Sequence, residues 1–456
     1  MEYGLISFLP AILVILCAIK TKRTTESLIL GVVVSYGIIA IENNENFVGL
    51  ITDSFFHVVT EYDTIWLVTV CGLFGSLIAL INEAKGTQAM ANFLGKICRS
   101  GKSALFISWI LGIIIFIDDY MNILTISACT KKLADERKIP REALAYVIDS
   151  TGAPVCVLLP FSTWAIFFAG VFYEQESVQA LGYGSAMQTY IHIIPFIFYA
   201  IAAVIIVPLF IAGIVPKIGY MKKAYERTMI KGMVYSEKSE KYNNDSHKDD
   251  DEITSVWDFV LPIVTMILTQ LLTDDMFVAI IAAIIVCGIL YLPRKKMSRE
   301  QFCDLWIQGF ADLVPALAII VAALVMRQAS ADLKLPEYVI ELIQPFISPK
   351  IFPLVAFVTV SCLGFITGSN WGIPAVCAPI IIPLGAALGV NLLPVMAAIV
   401  SGGTFCSHAC FYSDATVITS SACGIDNMEH VYSQLPYAII SFLIACISFL
   451  IIGFII

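Results

Sequence analysis

The sequence predicts an all-α polytopic membrane protein of two inverted repeats, each with five transmembrane helices, a re-entrant hairpin and a helix broken at the midplane. Hydropathy, the placement of charge and an internal correspondence between the halves predict it. Of 456 residues, 59% are hydrophobic and 14% charged, where soluble domains carry about 25% charged residues. Apolar blocks near the spanning length of roughly 20 residues recur along the chain. They include Leu5–Lys20, Ser27–Ile41, Ile65–Ile81, Ile194–Val215, Trp257–Leu272, Met276–Leu292 and Pro436–Ile456. No soluble core hides so many. The first block begins the array and does not read as a cleaved signal.

The net charge of −9 matters less than where the cations lie. With sides assigned alternately, 24 of the 27 Lys and Arg fall on one side, in Lys20–Arg23, Lys85–Lys102, Lys131–Arg141, Lys217–Lys248 and Arg294–Arg299. The other side receives Arg327, Lys334 and Lys350. Basic residues favour the cytoplasmic side, so both termini are expected outside. The expected partners are the bilayer and a small ion or organic solute, with no nucleic acid.

Order within the chain supplies the repeat. Phe116–Tyr120 corresponds to Phe365–Ser369 and Ala145–Ser150 to Ala397–Gly402. Lys102 and Lys131–Arg141 both belong inside, yet a mostly apolar stretch separates them, so it goes in and returns with Asp118–Asn122 at its tip. Its counterpart follows Lys350 and enters from outside. The first repeat is expected over 1–216, with a hairpin at about 103–138 and a broken helix at about 141–172. A flexible cytoplasmic linker is expected over 217–255, where no apolar period is visible. The second repeat is expected over 256–456, with a hairpin at about 350–389 and a broken helix at about 391–422. Interrupted helices in inverted repeats are a transporter architecture.

Ionisable groups inside a membrane are costly and are functional candidates by default. Asp118, Asp119, Asp149 and Asp414 qualify. Small hydroxyls and amides accompany them: Asn122, Ser150, Thr151, Ser162, Thr367, Ser369, Asn370, Ser401, Thr404 and Ser413. Hard cations take oxygen ligands, and Asp149 and Asp414 are the expected sodium ligands. The breaks are read at Asp149–Pro154 and at Ser401–Thr404, continuing to Ser413 and Asp414. Capping is the competing role for Asp149, since Asp and Asn serve alike as caps. His408 is read as a proton carrier or a hydrogen-bonded structural residue, and His430 as structural. Trp164 and Trp371 follow polar patches and are read as packing or cavity walls. Cys406 and Cys410 flank His408, but no second cluster completes a zinc set, so they are read as packing residues. A buried carboxylate holds a proton or a sodium ion but not both, so exchange of the two needs no further machinery.

The stretches Phe116–Asn122 and Arg141–Val155 resemble the NhaC-type Na+/H+ antiporters, where an Asp-Asp-Tyr-x-Asn tip precedes an Asp-Ser-Thr-Ala-Ala-Pro break. Ser401–Thr416 is similar to that family's second motif, and Gln434–Tyr437 also matches. The resemblance implies a bacterial plasma-membrane location, an elevator mechanism and a homodimer. It carries over Asp118, Asp119, Asn122, Asp149, Ser150, Ser413 and Asp414 as site residues. One departure is Cys406 and Ser407 where the family has Gly-Asp, which removes one carboxylate. Sodium/proton antiport is therefore expected, with ion-coupled transport or exchange of an amino acid or carboxylate such as malate or lactate as the alternative. No cofactor and no enzymatic activity are expected. An intramembrane aspartyl protease is disfavoured because proteolysis leaves the repeat unexplained, and a channel because no filter motif is visible. Single cysteines placed at Lys96 and Lys138, in a Cys-free background, are expected to react with an impermeant thiol reagent from the same, cytoplasmic side. Labelling from opposite sides would remove the hairpin.

Overall fold

The computed structural model describes residues 3–455 except 22, 99, 117, 161, 244–254, 274, 336–337 and 339–347. Every regular element among the described residues is a helix. Thr24–Asn43, Thr64–Glu83, Pro349–Thr367, Leu392–Cys423 and Asn427–Ile455 have the length and apolarity to cross a membrane, and three bent helix pairs add to them. Other apolar blocks are divided into shorter pieces, such as Met276–Tyr291 and Thr163–Tyr173. The C-terminal helix Asn427–Ile455 explains how its sequence suits lipid. Ile439, Leu443, Ile447, Ile451 and Phe454 are exposed along one stripe. In water that stripe would be an unusually large apolar patch.

The early helices of the two halves pack on one another. Tyr62–Glu83 lies against Arg299–Asp312 and Met276–Tyr291, and Thr24–Asn43 against Val314–Asp332. Glycine sets the closest approach. A Cβ on Gly75 would stand 2.3 Å from the Gly309 carbonyl oxygen, and one on Gly309 would stand 2.5 Å from that of Gly75. Small residues let membrane helices meet at backbone distance.

Two helix pairs and two interrupted helices carry the candidate site residues. The first hairpin is Gly101–Ile114 and Asp119–Glu136; the second is Phe352–Thr367 and Gly372–Ala387. Gly368 (φ +69°) caps the first arm of the second hairpin. A Cβ there would stand 2.3 Å from the Tyr412 ring, so the turn needs glycine for conformation and for space. The first interrupted helix runs Arg141–Asp149, Ala153–Cys156 and Thr163–Tyr173; the second runs Leu392–Ala409 and Asp414–Cys423. The return arm of the first hairpin packs on Arg141–Asp149 and on Asp414–Cys423. The second hairpin packs on Leu392–Ala409 and on Thr163–Tyr173. Each hairpin thus touches the first piece of its own interrupted helix and the last piece of the other.

Two expectations are corrected. Ser401–Thr404 is not a break: Leu392–Ala409 is continuous through it, and the chain leaves the helix only at Cys410–Ser413. The paired glycines that read as unwinding serve packing instead. A Cβ on Gly402 would stand 2.7 Å from Val360, and one on Gly403 would stand 2.8 Å from Pro374. Both contacts are with the second hairpin.

The segment expected as a flexible linker is folded over its described part. Gly219–Lys231 is an α-helix and Glu237–Tyr242 a 3-10 helix; residues 244–254 lie outside the described residues. Arg227 makes a two-pronged ion pair with buried Glu142, at 2.8 and 2.9 Å. Ser236 and Ser239 donate to Glu429 at 2.6 and 3.2 Å. Asn243 donates to the Gly424 carbonyl at 2.7 Å and accepts from Arg141. Arg141 also forks onto Asp135 at 2.9 and 2.8 Å and lies over the Tyr235 ring. The linker is held through side-chain hydrogen bonds and ion pairs, which hydropathy does not register. Arg227→Ala is expected to lower stability by about 3 kcal/mol, because it strands the buried Glu142 carboxylate. Thermal unfolding of the purified variant measures the loss, and adding Glu142→Gln is expected to recover part of it.

Candidate functional site

The polar residues of the interrupted helices form two groups. The first gathers the tips of both hairpins around Asp414. Asp118 is the N-cap of Asp119–Glu136: its Oδ1 accepts from the Met121 amide at 3.0 Å and its Oδ2 from Thr163 at 3.2 Å. Tyr120 donates to Asp414 Oδ2 at 2.6 Å. Asn370, at the tip of the second hairpin, donates to Asp414 Oδ1 at 2.8 Å, and so does the Ala415 amide. Asp414 is partly exposed, whereas Asp118 is buried and Asp119 fully so. Neither oxygen of Asp119 has a well-formed hydrogen bond; the Trp164 indole N–H stands beside it as the donor in reach, short of good geometry. A charged carboxylate held this way is costly to bury. Asp118, Asp119 and Asp414 lie within electrostatic reach of one another.

The second group forms at the first break. Asp149 Oδ2 accepts from Gln434 Nε2 at 2.5 Å and faces His430 Nε2 at 3.1 Å. Both partners come from the C-terminal helix, one turn apart. Gln434 also donates to the His408 carbonyl. The His408 ring meets Ser150 at 2.9 Å through Nε2 and Tyr199 at 2.7 Å through Nδ1. Tyr146 stacks beside it. His430 Nδ1 and Gln434 Oε1 are buried without partners. Asp149 and Asp414, the expected sodium ligands, belong to different hydrogen-bonded groups.

Several expected site residues hold the framework. Asn122 Nδ2 donates to the Gly112 and Ile115 carbonyls at 2.7 and 2.6 Å, closing the end of the first arm; such terminal carbonyls otherwise lack partners. Its Oδ1 is unpaired. Ser162 caps Thr163–Tyr173 and Ser413 caps Asp414–Cys423. Thr151, Thr367 and Thr404 each donate to a carbonyl of the preceding turn. Ser369 accepts from the Gly372 amide at 3.0 Å. Ser401 Oγ and Ser407 Oγ are buried and unpaired. Cys406 and Cys410 donate to the Gly364 and Phe365 carbonyls, binding their helix to the second hairpin. Trp164 and Trp371 pack on each other with centroids 4.3 Å apart.

Sequence reasoning missed His430 and Gln434 as Asp149 partners and Tyr120 as the donor to Asp414. The available signal was a His and a Gln four residues apart at the start of an apolar helix, one helical face. Among the described residues no three His, Cys, Asp and Glu side chains converge as a metal site.

A helical membrane protein whose helices break beside buried carboxylates has the makings of an ion-coupled secondary transporter. The chain belongs to the Na+/H+ antiporter family, whose model matches residues 168–454. It is a transporter and not an enzyme. An uncharacterized protein of Haemophilus influenzae is 25% identical over 98% of this chain and 91% of its own. The malate-2H+/Na+-lactate antiporter of Bacillus subtilis is 35% identical over 109 residues, 24% of this chain and 23% of that one. The solved YdaH transporter of Alcanivorax borkumensis covers 90% of this chain and 89% of its own at 13% identity, with a TM-score of 0.39.

Asn122→Ala is expected to leave two buried carbonyls unpaired, each costing about 1–3 kcal/mol. The loss is read as a lower melting temperature of the purified protein.

Proposed function

We propose that the chain is a sodium/proton antiporter working by alternating access at these two groups. The observation that carries the reading is Asp119, fully buried with only the Trp164 indole N–H in reach as a donor, beside Asp118 and Asp414. A proton or a sodium ion neutralises such a group, so binding one excludes the other. Unpaired neutral oxygens of Asn122, Thr125, Ser401 and Ser407 are available within the same packed core. Asp149, which faces His430 and accepts from Gln434, is the second carboxylate of the proposed exchange. The two interrupted helices and crossed hairpins support an inverted repeat, and the 24-to-3 cation split supports termini outside the cytoplasm. An elevator movement and a homodimer rest on family resemblance.

A second reading, exchange of a small organic anion coupled to these ions, is favoured by Ser407. It stands where the family resemblance expects a carboxylate, and its buried hydroxyl is unpaired. The Bacillus subtilis relative named for malate and lactate supports it over a quarter of the chain.

The test uses proteoliposomes with an inward sodium gradient and no organic solute. The lumen is expected to become alkaline, and Asp119→Asn and Asp149→Asn are each expected to abolish the change. Asp119→Asn is expected to keep or raise the melting temperature, since it removes an unpaired charge from a low-dielectric site. A flat pH in the parent removes the antiporter reading. Retained exchange in Asp149→Asn leaves that residue as a structural partner of Gln434 and His430; the capping role expected for it does not apply, since Asp149 ends its helix and Gly152 precedes the next.

A further inference from the structure

We propose that Arg327 binds the carboxylate of a small organic anion, at a site shared between its helix and the tip of the second hairpin. The inference rests on the chain being a secondary transporter and deepens the second reading above. Arg327 follows the apolar run 314–326 of the helix Val314–Asp332 and opens its polar end, with Gln328, Ser330 and Asp332. Its Cδ stands 3.9 Å from where a Cβ of Gly372 would be, so its stem passes the first residue of the hairpin's second arm. Asp414 is within its electrostatic reach.

The ion pair of Arg327 with Glu61 does not saturate it. Nη2 lies 3.6 Å from Glu61 Oε2, with side chains 35% and 31% exposed. That separation exceeds a hydrogen bond, and pairs this exposed contribute little. A guanidinium presents a planar fork of N–H donors, and carboxylates take such a fork in two-pronged fashion. The surroundings fit one end of an organic anion. Trp371, partly buried and packed on Trp164 and Phe167, gives an apolar wall. Ser369 and Asn370 lie on the same tip, and Asn370 leads directly to Asp414. A carboxylate on Arg327 would therefore sit beside the carboxylate group that attracts the coupling cation. Anion and cation then neutralise each other between the hairpin tips.

The experiment measures thermal unfolding of the purified full chain with lactate, malate or glycine as probes, and with sodium chloride titrated separately. At least one probe is expected to raise the melting temperature of the parent. In Arg327→Gln the apparent affinity for that probe is expected to fall about tenfold or more, while the sodium response persists. Arg327→Lys is expected to be intermediate, because it keeps the charge and loses the fork. Glu61→Gln is expected to keep the response, since Glu61 competes for the guanidinium. The inference is overturned if no probe stabilises the parent, or if Arg327→Gln binds as the parent does. If the parent binds a probe through Arg327 yet shows no sodium/proton exchange in proteoliposomes, the antiporter reading fails and this inference stands.

Discussion

Asp414 joins three elements that sequence separates widely. Its carboxylate takes Tyr120 from the first hairpin tip, Asn370 from the second, and the Ala415 amide from its own helix. Ser413 starts that helix as its cap. A carboxylate needs donors when removed from water, and here two of the donors come from the tips of the two helix pairs. The hairpin tips are thus gathered by one acceptor. Any change in the charge of Asp414, by proton or cation, acts at once on both tips and on the second interrupted helix.

Arg141 plays the corresponding part at the cytoplasmic end of the sequence reading. It opens the first interrupted helix, forks onto Asp135 at the end of the first hairpin, and donates to the Cys423 carbonyl at the end of the second interrupted helix. Asn243 and Tyr235 bring the linker onto the same side chain. A Cβ on Gly424 would stand 2.8 Å from its Nη1, so the absence of a side chain there makes room for the guanidinium. The interrupted helices are consequently fastened at one end by a cation and at the middle by a carboxylate. Both fasteners draw on both halves, which ties the movement of either half to the other.

What was legible follows from which forces sequence displays. Hydropathy and the cation split announce a membrane array, because burial in lipid is written residue by residue. Asp118, Asp119, Asp149 and Asp414 stood out since a carboxylate in an apolar run is rare for a physical reason. Gly402 and Gly403 misled because glycine serves unwinding and close packing alike, and only the neighbour decides; here Val360 and Pro374 do. The linker misled because it docks by Arg227, Ser236, Ser239 and Asn243, polar residues that equally suit solvent. His430 and Gln434 share one helical face, but nothing local ties them to Asp149, which lies in the other half of the chain.

The two groups differ in how their carboxylates are held. Asp149 takes a hydrogen bond from Gln434 and faces His430, both on the C-terminal helix. Asp119 is fully buried with neither oxygen in a well-formed hydrogen bond, and the Trp164 indole N–H is the donor beside it. Donors offset the cost of burying a carboxylate, so the exchange proposed above depends most on Asp119. Gln434 also donates to the His408 carbonyl and the His408 ring meets Tyr199, so Asp149 is linked to Phe198–Ala212 as well as to the C-terminal helix.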